Sequence, residues 1–270
     1  CFVANREGLS FDVLFVDTAM SSHLAALEHS MPGVREVIWL DDTPAPSGLL
    51  RYENLVANDP VDDAGAADDD LAGLFYTGGT TGRSKGVLLS HTNLVVNALN
   101  GIAGIGFTSD TTYIHSGAMF HLADGASTFG VTLVGGRHAF VSRFEPVEVL
   151  QTIQVDRVTH AQFVPTMINM LANHPRFAEF DISTLSLILY GASPMPEGVL
   201  RKAMQVMPHV RLLHAYGMTE APTIVARTDA DTEPQEDLCG RAVEQVAILI
   251  VDDRDQVLPP HLVTIVDKVH

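Results

Sequence analysis

Between Tyr76 and Gly86 the chain reads YTGGTTGRSKG. These residue types suit a polyphosphate. Gly78, Gly79 and Gly82 let the backbone turn tightly and come close to a ligand. Thr77, Thr80, Thr81 and Ser84 carry hydroxyls, and Lys85 carries a charge. Backbone N–H groups, short hydroxyls and one cation together hold phosphate oxygens. The stretch is not a Walker loop, because Lys85 is followed by Gly86 rather than by Ser or Thr.

Three further stretches carry chemistry. His214–Ala215–Tyr216–Gly217–Met218–Thr219–Glu220 places an aromatic ring, a hydroxyl and a carboxylate within seven residues. A carboxylate is an oxygen ligand of the kind that Mg²⁺ takes alongside phosphates. Tyr190–Gly191–Ala192–Ser193–Pro194 is built of small residues, which let a backbone approach a flat base and leave room for a tail. In AMFHLADG, Met119, Phe120 and His121 form a short aromatic–histidine motif; taken alone, such a histidine reads as a core or capped group.

YTGGTTGRSKGV closely resembles the phosphate-loop signature of the adenylate-forming enzymes, the superfamily of acyl-CoA synthetases, aryl-CoA ligases, luciferases and peptide-synthetase adenylation domains. Gly78 stands where that signature more often has Ser, and Ser84 where it more often has Pro. YGMTE is similar to the same family's YGxTE, and MFH to its motif lining the acyl pocket near the CoA entry. Overall likeness is to bacterial fatty-acid–CoA ligases.

The resemblance implies ATP, Mg²⁺ and CoA as reactants. A carboxylate would attack the α-phosphorus of ATP, and a thiol would then attack the acyl-adenylate. It implies catalytic roles for Lys85, Thr219 and Glu220, with Glu220 as the metal ligand. Thr77, Gly78, Gly79, Thr80, Thr81, Gly82 and Lys85 would bind the phosphates. Gly191, Ala192 and Ser193, together with His214, Ala215, Tyr216, Gly217, Met218 and Thr219, would bind the rest of the nucleotide. His121, Gly191 and Met218 would contact the acid. Such chemistry needs positioning and charge neutralisation more than covalent help. No nucleophilic triad is required, and no Cys/His zinc spacing occurs.

Two family features are missing. No Thr-Gly-Asp motif follows Glu220, and the mobile C-terminal domain with its lysine is expected to be absent. Gly240–Pro260 resembles the strand pair that runs into PPGxxGEI, yet Leu262–Lys268 resembles a later hinge-proximal strand, with Lys268 where the family has an ATP-contacting Arg. The expectation is that a segment bearing Thr-Gly-Asp is skipped near residues 260–262. The chain also lacks an initiating Met, which fits part of a longer gene product.

The elements that must position these residues alternate. Strands are expected at Asp12–Asp17, Val37–Leu40, Leu71–Tyr76, His138–Ser142, Val158–Val164, Leu185–Tyr190, Arg211–His214 and Val246–Val251. Helices are expected at Met20–Ser30 (capped by Ser21 or Ser22), Ser90–Ala103, Pro146–Gln154, Pro165–Asn173 and Pro196–Met207. Asp41–Asp70 reads as an acidic surface linker. This order favours an α/β fold. From the resemblance it is the layered α/β/α/β/α large domain, with residues 1–95 and 96–220 as two subdomains and 221–270 opening a β-rich segment.

Composition sets the outer bounds. The 270 residues are 46% hydrophobic and 18% charged, which excludes a disordered tail. A net charge of −17 argues against binding nucleic acid. Cys1 and Cys239 cannot make a disulfide framework, so a reducing, cytoplasmic setting is expected. No apolar run reaches the ~18–20 residues of a membrane span, and no signal peptide is visible. A homo-oligomer stays open.

The reading is therefore an acid–thiol ligase of lipid metabolism that activates a fatty acid, with the 270-residue chain alone impaired in turnover. An aryl-acid CoA ligase is the alternative within the class. A non-catalytic nucleotide- or acyl-adenylate-binding remnant is the alternative outside it, and a globular α/β interaction domain with an accidental loop is the third.

Overall fold

A computed structural model describes residues 12–24, 26, 31, 33–78, 85–228, 241–243, 246–249, 251, 252, 254, 256 and 257. The chain divides into two compact units, residues 1–66 and 67–270.

The first unit holds a parallel three-stranded sheet, β1 (Val13–Val16), β2 (Glu36–Trp39) and β3 (Leu50–Arg51), in that order. A 3₁₀ turn at Thr18–His23 follows β1, capped by the Asp17 carboxylate, which accepts from the Met20 N–H at 3.1 Å. The expected cap at Ser21 or Ser22 is thus displaced, because an Asp at the strand end reaches the free N–H groups first. Of the helix expected over Met20–Ser30, residues 25 and 27–30 lie outside the described residues. The expected linker is also corrected in part. Residues 50–51 pair with β2, and a short helix, α1 (Tyr52–Val56), follows them.

The second unit carries a seven-stranded mixed sheet. Its strands are β6 (Thr112–His115), β7 (Arg137–Phe140), β8 (His160–Phe163), β9 (Leu187–Gly191), β10 (Arg211–Met218), β11 (Ala221–Thr228) and β12 (Arg241–Ala242). The spatial order is β12-β11-β10-β9-β8-β6-β7. Pairing is parallel from β10 to β7 and antiparallel at β11 and β12. Apart lies a hairpin, β4 (Leu71–Thr77) with β5 (Lys85–Ser90). The helices are α2 (His91–Ile105), α3 (Leu122–Leu133), α4 (Pro146–Asp156), α5 (Pro165–Ala172) and α6 (Glu197–Val206).

Strand periodicity explains the layering. Ile188 and Tyr190 of β9 bury on one face with Ile153, Ile168 and Ala203 from α4, α5 and α6. Leu187 and Leu189 bury on the other with Ile105, Phe107 and Val131, from α2, its exit and α3. Helices therefore cover both faces of the parallel strands, as buried parallel sheets require. The hairpin is fixed to α2 and α3 through a third cluster in which Leu89, Leu94, Leu122 and Ala126 pack with Phe75 and Val87.

Local signals set the helix ends. Ser90 and Asn93 form a reciprocal capping box at α2, and Gly106 ends it at φ 92°, a left-handed backbone that suits glycine. Pro146 and Pro165 open α4 and α5. Four expectations change. The loop after β4 leads to strand β5, not directly to a helix, because Val87 and Leu89 alternate inward against α2. β6 and α3 fill a region with no expected elements. β10 runs on to Met218 because it pairs with β11 in an unforeseen hairpin. Residues 246–249 are not a strand, and Val251 instead bridges to Val257.

His160, on β8, has its pKa pushed down to about 4 from 6.5 by burial first and the Arg211 charge second. Above pH 6.5 folded and unfolded chains both hold it neutral. Between 6.5 and about 4 the unfolded chain takes up a proton that the folded one refuses, so stability falls as pH falls. His160→Gln is expected to flatten the acid side of the stability–pH curve across that window, measured by urea unfolding. Ile188→Ala, in the fully buried core, is expected to cost about 3 kcal/mol in the same assay.

Candidate functional site

A cavity of about 520 Å³ opens within the second unit. This lies in the size range of small-molecule sites. One wall is α2 and its exit, with Ala98, Gly101, Ile105 and Phe107. A second is the β6–α3 connection and α3, with Gly117, Ala118, His121, Asp124 and Gly130. Val164, Met167 and Leu189 add apolar surface, and Gln162, Asn97 and Ser127 add polar atoms. The last boundary is Ala192 together with Ala215, Gly217, Met218, Thr219 and Pro222.

Of the sequence-predicted residues, the cavity thus gathers His121, Ala192, Ala215, Gly217, Met218 and Thr219. Gly191, Ser193, His214, Tyr216 and Glu220 do not line it, but each is a chain neighbour of a lining residue. Tyr216–Met218 form the end of β10, and Thr219–Glu220 are the two turn residues before β11. Tyr216 and Glu220 are exposed and Thr219 is half-buried. His214 stacks on Tyr190, its parallel partner across β9–β10, with ring centroids 5.0 Å apart.

Two backbone features shape the strand ends. A Cβ on Gly191 would run into the Ala215 carbonyl oxygen, so only glycine lets β9 and β10 approach there. The next residue, Ala192, has φ 64°, a left-handed conformation that costs a non-glycine residue energy and concentrates at functional sites. The chain thereby leaves β9 sharply and turns Ala192 to the cavity.

The phosphate-loop stretch is described at its ends only. Thr77 and Lys85 pair across the β4–β5 hairpin, where the Thr77 hydroxyl donates to the Lys85 carbonyl at 3.4 Å. Gly78 and Lys85 are exposed. Gly79, Thr80, Thr81 and Gly82 lie outside the described residues. His121 is the residue before α3, but its side chain makes no capping bond and instead lies beside the Phe120 ring, 4.4 Å between centroids.

Sequence reasoning missed Asp124. It is buried in the first turn of α3 and accepts from the Gly117 N–H at 3.1 Å and from the His115 ring at 3.0 Å. Burial and the Asp124 charge beside it push the Tyr113 phenol well above its ordinary range. Nothing in the sequence marks it, since an acid in LADGASTFGVTL reads as a solvated residue.

Mg²⁺ is implied by the resemblance. Among the described residues no group of three His, Cys, Asp or Glu side chains is placed to hold a metal. A single exposed carboxylate at Glu220 beside the Thr219 hydroxyl nevertheless fits Mg²⁺, which takes one or two carboxylates and otherwise phosphates and waters.

A family model described as AMP-binding enzyme matches residues 9–263. The chain belongs to that family. Among relatives in the AMP-binding enzyme family, it is 26% identical over 244 residues to a 4-coumarate-CoA ligase of Narcissus pseudonarcissus, covering 86% of this chain and 44% of the relative. It is 36% identical over 233 residues to a probable CoA ligase of Humulus lupulus, covering 84% and 39%. Its fold is similar to an anthranilate CoA ligase in complex with anthranoyl-AMP, with a TM-score of 0.81, 20% identity, and coverage of 92% of this chain and 48% of that one. A putative long-chain-fatty-acid CoA ligase of Rhodopseudomonas palustris gives a TM-score of 0.80 at 18% identity, covering 92% and 61%. The α/β large domain expected from the sequence is thus the fold present. The chain spans less than half the length of these two curated relatives.

Gly191→Ala is expected to force β9 and β10 apart and to cost about 1–3 kcal/mol. Thermal unfolding measures it.

Proposed function

We propose that the protein activates a carboxylic acid with ATP to an acyl-adenylate and then forms a CoA thioester, with a fatty acid as its substrate. The observation that carries this reading is the shared wall of the cavity. Met218 and Thr219, from the YGMTE stretch, border the same space as the apolar residues of α2 and α5. A site that joins a nucleotide to a tail needs both.

In this reading one carboxylate oxygen attacks the α-phosphorus, and pyrophosphate leaves with the bonding pair. The thiolate of CoA then attacks the acyl carbonyl, and AMP leaves. Lys85, Thr77, Gly78 and the loop 79–82 hold the β- and γ-phosphates. Thr219 donates to the α-phosphate. Tyr216, at the exposed end of β10, offers a ring face to adenine. Gly191, Ala192 and Ser193 pass the base and leave room for the acyl group. His121 and Met218 contact the acid. Glu220 would hold Mg²⁺, whose charge offsets that of the phosphates. The acidic chain and its two cysteines fit a cytoplasmic enzyme.

The fatty choice rests on the lining. Ala98, Gly101, Ala126 and Gly130 keep the space between α2 and α3 open for a tail. An aryl acid is the second reading. It is favoured by the relatives named for coumarate and ferulate, the latter 35% identical over 177 residues.

ATP–pyrophosphate exchange with dodecanoic, 4-coumaric and anthranilic acids separates them. In the complete protein, exchange with dodecanoic acid is expected; exchange with aryl acids alone overturns the fatty assignment. Glu220→Ala is expected to lower the exchange rate by at least about 10²-fold. Near-normal exchange would remove Glu220 from the metal role.

A further inference from the structure

A chain of hydrogen bonds runs from the surface to the cavity wall. Thr132 Oγ1 lies 3.0 Å from His138 Nε2, and His138 Nδ1 lies 2.9 Å from His115 Nε2. His115 Nδ1 lies 3.0 Å from Asp124 Oδ1, and the Gly117 N–H donates to Asp124 Oδ2 at 3.1 Å. The His115 and Asp124 side chains are only 1% and 6% exposed. The His115 and His138 rings lie edge to edge and near-coplanar, 5.2 Å between centroids, and the Phe140 ring lies near-parallel to His115 at 5.0 Å.

With Asp124 ionised and both imidazole rings neutral, the donor pattern has one direction. An ionised Asp124 only accepts, so His115 carries its proton on Nδ1. Its Nε2 must then accept, which puts the His138 proton on Nδ1 also. His138 Nε2 accepts from the Thr132 hydroxyl. Burial, and then the His115 ring, lower the His138 pKa, in keeping with a neutral ring.

The geometry ties down one segment. His115 ends β6, Gly117 lies in the connection, and Asp124 is in the first turn of α3, so the two oxygens of Asp124 clamp both sides of residues 116–121. Inside the clamp the His121 N–H donates to the Ala118 carbonyl at 2.9 Å, and the His121 carbonyl accepts from Asp124 and Gly125. The Met119 carbonyl occupies the space where a Cβ on Gly125 would be. Gly117, Ala118 and His121 of this segment line the cavity.

We propose that Asp124 is a positioning residue for acid binding: through His115 and His138 it fixes the segment that presents Gly117, Ala118 and His121 to the acid. The role rests on the acid-activating reading of the cavity. An amide at position 124 cannot replace the carboxylate. It has one acceptor for two donors, Gly117 N–H and His115 Nδ1–H, so one donor loses its partner or the His115 tautomer reverses against His138.

The test combines kinetics with ring-nitrogen NMR. In the wild type, histidine ¹⁵N–¹H correlations should show His115 and His138 as Nδ1–H tautomers. Asp124→Asn should raise KM for dodecanoic acid roughly tenfold, the equivalent of about one charge-assisted hydrogen bond, and leave KM for ATP unchanged. His138→Leu should leave His115 an Nδ1–H tautomer held by Asp124 yet raise the acid KM, whereas His138→Asn, which keeps a donor at the Nδ1 position, should restore that KM. An unchanged acid KM in Asp124→Asn, equal changes in both KM values, or Nε2–H tautomers in the wild type overturn the proposal. A wild type that exchanges pyrophosphate with no acid overturns the reading of the cavity and this role with it.

Discussion

Where β9 ends beside β10, the Ala215 carbonyl fills the space that a side chain at position 191 would take. Much of the candidate site depends on that approach. With glycine there, the pairing runs to the last residue of β9, Gly191 against Ala215. Ala192 then bends away at φ 64° while β10 continues to Met218. The divergence of the two chains leaves Ala192 on one side and Gly217 to Thr219 on the other, and both border the cavity. A side chain at 191 would trade that opening for a clash.

The rest of the fold serves to hold these strand ends still. Helices bury both faces of the parallel strands, so the sheet cannot flex without opening one of two cores. The same two helices, α2 and α3, carry the β4–β5 hairpin through Leu89, Leu94, Leu122 and Ala126. The residues that flank the phosphate-loop stretch are thus anchored on the helices that wall the cavity. Polar groups buried near it, such as Asp124 and His115, are paired, which is the condition for keeping a carboxylate out of water.

Legibility followed residue type. YTGGTTGRSKG and HAYGMTE stood out because glycine, threonine, lysine and glutamate in such density serve few structural ends, and the family assignment bears out the resemblance. Most core strands were readable because buried parallel strands are short apolar runs. Asp124 was not readable, since one acid in LADGASTFGVTL looks like a solvated residue until the fold turns it inward towards His115. Strand β5 was hidden for a different reason: KGVLLS is one side of a hairpin whose partner, β4, makes it a strand only through pairing. β11 likewise depends on β10. The choice of acid was not legible, because it is set by the shape of a cavity rather than by a motif.

The central claim is that one site joins a nucleotide to an acyl tail. Isothermal titration of the protein with a non-hydrolysable dodecanoyl-sulfamoyl adenosine tests it most directly, compared with adenosine monophosphate and dodecanoic acid added separately. The account predicts one-to-one binding much tighter than either half alone, abolished by filling the cavity from its exposed lining residue Ala118 with Ala118→Trp. Binding of the analogue no tighter than that of adenosine monophosphate, or undiminished in the filled variant, would contradict it.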